Sequence, residues 1–447
     1  MSLRDDAIAI WKAAVAAVDS ERLVGHSIVC EDGSICIGED RVDLATTGRI
    51  EVVGAGKAGA GMARGVLAAL SGLPANVDLG GWVNVPEDCV ESLDRIHLHA
   101  ARPAGINEPT QAGVDGTLQI INRIQTLGEN DLCIVLISGG GSALLPAPVP
   151  EVSLESKQLV TRFLASAGAP ISDLNVVRSQ ISLVKGGGLL RHCGAGKLIA
   201  LVISDVIGDP LDIIASGPTV PRTSCPADAL AVLARYDSEQ KLVPDSVYAY
   251  LESQLTLREQ DPPLCDFSNY VIGSNQVAIS AAEVEALNRG YSVINLGSQN
   301  CGSARGLGEA LINRLQQLRK QSDVRSPKCI LAGGETTVEL AETLTPRRGG
   351  RNQEVVLAAI AANSSASEWR DLILLSGGTD GEDGPTDAAG AWADEQLVKD
   401  IVARSLSAHE HLAINNSYPF FDAVGGLLMT GPTHTNVMDV AVGLLGR

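Results

Sequence analysis

The sequence predicts an α/β protein of two domains, and three observations carry that prediction. Its 447 residues exceed the ~250–300 at which a single hydrophobic core stops growing. Short β-rich apolar runs alternate with helix-period segments, the pattern of a parallel sheet covered by helices on both faces. A polar, proline-containing interruption at residues 256–266 separates two such series.

The elements follow in order. Residues 1–17 mix Arg4, Asp5, Asp6 and Lys12 with apolar side chains, as an amphipathic helix does and a secretory signal core does not. Residues 49–53 read as a strand and 58–70 as the helix after it; 78–84, 132–137 and 197–203 read as further strands, 110–126 and 154–167 as further helices. Beyond the interruption, residues 270–273 open a new strand. Residues 328–332, 371–375 and 427–430 are expected strands that each deliver a Gly- or Thr-rich turn. The expected domains are therefore 1–262 and 263–447.

With 45% hydrophobic and 19% charged residues and no long polar tract, the chain can bury sizeable cores and does not read as disordered. A net charge of −19 without a basic, aromatic-interleaved stripe argues against nucleic acid as a partner. An anionic substrate therefore needs a locally positive pocket. The nine cysteines form no Cys-x-x-Cys pair and follow no secretory signal, so they read as reduced core thiols of a cytoplasmic protein. A monomer or homodimer is expected. No stretch approaches the ~20 apolar residues of a membrane span.

Several glycine-rich segments could carry chemistry. Gly54-Ala55-Gly56-Lys57-Ala58-Gly59 follows a strand and opens a helix, which formally satisfies the dinucleotide fingerprint and would let amides approach a phosphate. That reading also wants an acidic residue ending the next strand, where this chain has Asn84; Asp78 lies at that strand's start and Glu87 after Pro86. Lys57 is more telling, because an ammonium beside a helix N-terminus suits a transferring phosphoryl group or an anionic substrate.

Ser138-Gly139-Gly140-Gly141-Ser142 reads as an anion nest at a strand's carboxyl end, or as a purely conformational turn. Lys185-Gly186-Gly187-Gly188, preceded by Arg178, reads equally as an anion site or a flexible helix start. Asp205, Asp209 and Asp212 lie just beyond a strand with spacing that suits oxygen ligands of magnesium, although Asp209 before Pro210 also suits a plain turn.

In the second half, Gly333-Gly334-Glu335-Thr336-Thr337 and Gly349-Gly350-Arg351-Asn352-Gln353-Glu354 bunch polar groups at turns, and the Arg351 fork matches carboxylate or phosphate. The loop at 376–387 adds Thr379, Asp380, Glu382, Asp383 and Asp387 after a strand, for a site or for a solvated acidic loop. Other signatures are missing. Gly196-Lys197 lacks the rest of a Walker A loop, His409, Glu410 and His411 lack zinc spacing, and no Gly-x-Ser-x-Gly elbow supports nucleophilic hydrolysis.

Together and in this order, the motifs resemble the glycerate 2-kinase family, whose C-terminal half is known as the MOFRL domain. The residues carrying the resemblance are 54–58, 137–146, 184–189, 204–218, 333–338, 349–357, 376–391 and 430–439, nearly the whole chain. It implies a Rossmann-like N-terminal domain facing a smaller α/β domain of MOFRL type, with ATP, Mg2+ and D-glycerate meeting in the interdomain cleft and 2-phosphoglycerate as product. Lys57 and Arg351 match the residues held essential in that family.

Candidate contacts to substrate or ATP are Gly54, Gly56, Ser138, Gly139, Gly140, Gly141, Ser142, Arg178, Lys185, Glu335, Asn352, Thr379 and Asn436. Asp205, Asp209, Asp380 and Asp383 are candidates for holding magnesium or accepting the hydroxyl proton. The chain departs from the family at His99-Ala100-Ala101-Arg102-Pro103-Ala104-Gly105, where members often carry a His-Pro-x-Pro-Asp-like segment. His434 stands where the family often has another residue and is expected to serve local structure. The rival readings are a nicotinamide-dependent hydroxypyruvate reductase and a non-catalytic protein that binds a small organic acid.

Overall fold

The computed structural model describes residues 2–106, 108–255, 265–321 and 326–446. They form two compact units, one of Ser20–Ser204 and Asp209–Ile272, the other of Met1–Asp19, Asp205–Gly208 and Gly273–Arg447. The division expected at residue 262 lies outside the described residues. The first nineteen residues go with the second unit, which a single cut in the chain does not reproduce.

The first unit is built on strands β1 (Arg49–Ala55), β2 (Asp78–Pro86), β3 (Ile96–Arg102), β4 (Leu132–Ile137), β5 (Lys197–Ile203) and β6 (Asp266–Gly273). Their order across the sheet is β3-β2-β1-β4-β5-β6, and β1 to β5 run parallel. This is the doubly wound order, whose direction reverses between β1 and β4. The apolar runs foreseen as strands are buried on both faces, which is why they carry no alternation; every residue of β4 is buried. The strand expected to open the second domain at 270–273 is instead the end of β6, on the edge of this first sheet.

Helix α1 (Gly59–Ala69) follows β1. The helix Gln111–Gln125 starts at Thr110, whose hydroxyl accepts from the Gly113 amide. Helices Leu154–Ser166, α2 (Ile171–Gln180), Pro226–Tyr236 and Asp245–Gln254 form a satellite core around Val160, Leu164, Val177, Leu233 and Leu251.

The second unit has a six-stranded sheet of β7 (Ser292–Asn295), β8 (Lys328–Gly334), β9 (Leu372–Gly378), β10 (Gly390–Asp394), β11 (Leu427–Leu428) and β12 (Asp439–Leu445). The order is β7-β8-β12-β9-β10-β11. Only β7 and β8 pair in parallel; the remaining pairs are antiparallel. The parallel logic read for the first half thus does not repeat. Helices α3 (Asn275–Asn288) and α4 (Arg351–Ala362) belong to this unit.

So does the helix Leu3–Ala17, opened by a capping box between Ser2 and Asp5. Its buried residues Ala7, Ile10, Trp11 and Ala14 are spaced i, i+3, i+4, i+7. The Trp11 indole donates to the Gly377 carbonyl at 3.2 Å, and Asp6 pairs with Arg289 at 2.6 Å.

Candidate active site

In the first unit, the glycines after β1 allow the loop after β4 to approach closely. A side chain on Gly54 would place its Cβ 2.0 Å from the Leu136 carbonyl oxygen, and one on Gly56, at φ 154°, would meet Ser138 Oγ at 1.9 Å. The amides of the turn are used within the protein. Gly56 donates to Asn84 O at 3.2 Å, Lys57 to Gly139 O at 2.9 Å and Ala58 to Ser138 Oγ at 3.1 Å. Thus the glycine fingerprint serves the approach of two strands, and its donors are not directed at a dinucleotide.

Asn84, at the end of β2, is fully buried. Its amide donates to Leu144 O at 2.8 Å and Thr117 Oγ1 at 3.3 Å, and its oxygen accepts from the Trp82 indole at 3.1 Å. Asn84→Asp should therefore lower stability by about 3 kcal/mol or more, because a charge replaces a satisfied amide, and should confer no NADH affinity. A melting curve and an NADH titration check both.

The loop at 138–142 carries the cationic centre of the first unit. Ser142 lies in the short helix Gly141–Leu144, entered through Gly140 at φ 77°. Lys185 Nζ donates to Ser142 Oγ at 2.7 Å, to Ser142 O at 3.1 Å and to Ser216 Oγ at 3.2 Å. The Arg178 guanidinium also donates to Ser142 Oγ and, through Nη1, to Asn175 Oδ1 at 3.2 Å.

Lys157, on the helix Leu154–Ser166, completes the group, and its Nζ has no partner among the described residues. No carboxylate among the described residues pairs with these three cations. Burial, with Arg178 adding, pushes Lys157 down to about 7; burial, Arg178 and Lys157 push Lys185 well below its ordinary value. Beside the group, Lys57 and Arg102 flank Gly140: a Cβ there would lie 3.1 Å from Arg102 Nη2 and 3.7 Å from Lys57 Cγ.

Lys185 is held by backbone clasps. Gly186 and Gly187, at φ 55° and 75°, donate to Ser216 O at 3.0 Å and Gly217 O at 2.7 Å. Opposite them, Ala215 and Ser216 also hold positive φ, 51° and 63°, a strain that persists where the surroundings enforce it and that clusters at functional sites. These glycines, read equally as an anion site or a flexible helix start, position the lysine through those bonds. Asp209 sits at φ 55° in the turn before Pro210, and Asp205 belongs to the other unit.

In the second unit, Arg351 opens α4 after Gly350. Its Nε and Nη2 donate to the two oxygens of Asp439 at 2.6 and 3.1 Å, and Nη1 donates to Glu335 Oε1 at 2.7 Å. Although burial disfavours its charge, the Asp439 carboxylate holds Arg351 above its ordinary value. Burial pushes Asp439 up, against the pull of Arg351 and Asn352. Asn352 links this pair to its surroundings, donating to Asp439 Oδ1 at 2.8 Å and accepting from Ser376 Oγ at 2.6 Å.

Asp383, among the expected magnesium candidates, has both oxygens committed to the start of α4. They accept from the Asn352 amide at 3.0 Å and the Gln353 amide at 2.8 Å, where the helix dipole favours an anion. Burial pushes Asp383 up to about 7, opposed by those amides and assisted by Asp439. The folded protein therefore binds a proton between about pH 4 and 7 that the unfolded chain releases, so this residue's contribution to stability falls as pH rises through that window. Asp383→Asn should flatten that slope in urea titrations run from pH 4 to 7.

Thr379, fully buried, donates to Met438 O at 2.7 Å and accepts from the Val437 amide at 2.9 Å. Asn436 accepts from the Met438 amide at 3.1 Å. Both thus fix the loop before β12. Asp380 Oδ1 and Asp439 Oδ1 face each other across Gly378, 3.1 and 3.6 Å from where its Cβ would be. Among the described residues, no group of three His, Cys, Asp or Glu side chains is arranged to hold a metal ion.

Sequence reasoning missed Lys157, Arg102, Ser216, Asn175 and Asp439. A signal for Lys157 existed: it falls on the same buried stripe as Val160 and Leu164, where a lysine has no ordinary reason to be.

Glycerate kinase from Danio rerio is 36% identical to this chain over 502 residues, covering 99% of this chain and 98% of its own. The chain belongs to the glycerate kinase family. Residues 6–252 match a domain family described as of unknown function, DUF4147, and residues 328–439 match the MOFRL family. The glycerate 2-kinase of Pyrococcus horikoshii is 34% identical over 100% of this chain and 98% of its own. A putative hydroxypyruvate reductase of Agrobacterium vitis is 37% identical, covering 98% and 96%. Among solved structures, the Thermotoga maritima glycerate kinase superposes with a TM-score of 0.83 at 32% identity over 99% of both chains. In this family setting, the doubly wound sheet and the mixed MOFRL sheet are shared architecture, and the two polar clusters are what its chemistry has to work with.

Proposed function

We propose that the protein transfers the γ-phosphoryl group of ATP to D-glycerate, giving 2-phosphoglycerate. One observation carries the reading: Lys57 and the cation-lined 138–142 loop follow β1 and β4, the two strands between which the sheet order reverses. Ligands of doubly wound sheets collect at that switch point, and here it gathers positive charge in a chain of net charge −19. The relatives named glycerate kinase support the reaction, and the one named glycerate 2-kinase supports the position phosphorylated.

In such a transfer the protein contributes positioning and charge more than covalent chemistry. Lys57, with Arg102 behind it, offsets charge on the moving phosphoryl group. Arg351, saturated by Asp439 and Glu335, acts by ordering those carboxylates. Magnesium bound with a nucleotide needs only one or two carboxylates besides phosphate oxygens, so the lack of a three-ligand cluster is compatible with it. We assign it to Asp380 and Asp205 in preference to Asp383, which caps a helix, and Asp209, which shapes a turn. Held there with a bound nucleotide, magnesium would supply neutralisation of phosphate charge. The nine cysteines, all free thiols, accord with a cytoplasmic enzyme.

The name of the Agrobacterium relative raises the reductase reading again. The buried Asn84 and the self-paired amides of 56–58 speak against it. Incubation with ATP, magnesium and D-glycerate, read by phosphorus NMR with L-glycerate and hydroxypyruvate as controls, should give 2-phosphoglycerate. 3-Phosphoglycerate would move the transfer to the other hydroxyl. No phosphorylated product, with NADH oxidised by hydroxypyruvate, would overturn the kinase.

A further inference from the structure

We infer that Lys157, together with Arg178 and Lys185, which both donate to Ser142, forms the subsite for the acceptor's carboxylate, with the Lys157 ammonium as its unpaired arm. The inference rests on the kinase reading above and names the part of the substrate that this pocket takes. Lys185 and Arg178 spend their hydrogen bonds on the neutral oxygens of Ser142, Ser216 and Asn175. Lys157 is 3% exposed, and its Nζ has no partner among the described residues.

A buried ammonium without a counter-ion is costly, and three neighbouring cations compound the cost. A protein that kept them only for packing would do better with apolar residues of similar size. One small anion relieves all three. The burial of these side chains distinguishes between candidate anions: Lys157 and Lys185 are 3% and 1% exposed, which suits the single charge of a compact carboxylate. A triphosphate, which must also carry a metal ion, is better served by the more open Lys57.

Lys157→Gln tests this, with Lys157→Met as the second variant. The substitutions should raise KM for D-glycerate roughly ten- to a hundredfold, as loss of a charged hydrogen bond does, and leave kcat and KM for ATP nearly unchanged. They should also narrow the preference for D-glycerate over its neutral amide. Since a buried uncompensated charge is removed, the melting temperature without ligand should rise in Lys157→Met.

A raised KM for ATP with glycerate unaffected would give the pocket to the nucleotide and overturn the inference, as would a lowered melting temperature with equal loss for acid and amide. Calorimetric titration of D-glycerate without ATP separates the two readings. Wild-type binding that Lys157→Gln abolishes, with no phosphoryl transfer by either protein, would uphold the subsite and sink the kinase. Phosphoryl transfer by wild type with undiminished glycerate binding in the variant would do the reverse.

Discussion

Replacing Arg351 with alanine is expected to abolish measurable turnover and to destabilise the protein by about 3–5 kcal/mol, the usual cost of leaving one member of a buried ion pair alone. The reason lies in Asp439, whose side chain is 10% exposed and whose two oxygens both receive the Arg351 fork. Removing the fork leaves a buried carboxylate with Asn352 as its remaining donor among the described residues and with Asp380 and Asp383 close by.

Arg351→Lys should recover part of the stability and little of the activity, because an ammonium supplies charge without two parallel donors. The double variant Arg351→Met/Asp439→Asn should regain most of the stability and none of the turnover. Urea denaturation of the set gives the coupling energy, and kcat measured on the folded variants separates chemistry from folding. Turnover near wild type in the stable double variant would remove this pair from the reaction.

Lys57→Ala is expected to cut kcat by roughly a hundredfold or more, as loss of one preorganised donor to a developing charge does, while KM for D-glycerate changes little. Lys57 differs from Lys157 in this respect. It extends from the turn between β1 and α1 and lies beside Gly140, where it can follow charge that moves during the transfer. Lys157 answers charge that is present before and after it. Lys57→Arg should restore part of kcat, and a rise in KM for D-glycerate alone in Lys57→Ala, with kcat intact, would exchange the two assignments.

Much of the first sheet was legible because β1, β4 and β5 are continuous apolar runs that only a doubly covered sheet buries. Its edge was not: β3 carries His97, His99 and Arg102 and alternates in burial, so the segment read as a departure from a family motif and not as a strand. In the second unit, β12 passed unnoticed although it is central. Its run opens on Asp439 and is interrupted by Gly443, which sits where a Cβ would press on Leu315 at 3.0 Å. The polar clusters of the candidate site were legible where a glycine-rich turn flagged them, as at Lys57, Ser142, Lys185 and Arg351. Lys157 sits in mid-helix and Asp439 at a strand's first residue, positions at which only the fold brings them to their neighbours.

The helix Leu3–Ala17 is made some 350 residues before the strand carrying its partner Gly377, a wait of about 20–70 s at ordinary rates of synthesis. Through that interval Ile10 and Trp11 have no surface to cover, while the whole of the first unit is translated and free to fold. The nascent chain therefore carries an apolar helix face that stays without its sheet until the second unit is translated, and chaperone occupancy of residues 3–17 during that interval is the expected consequence.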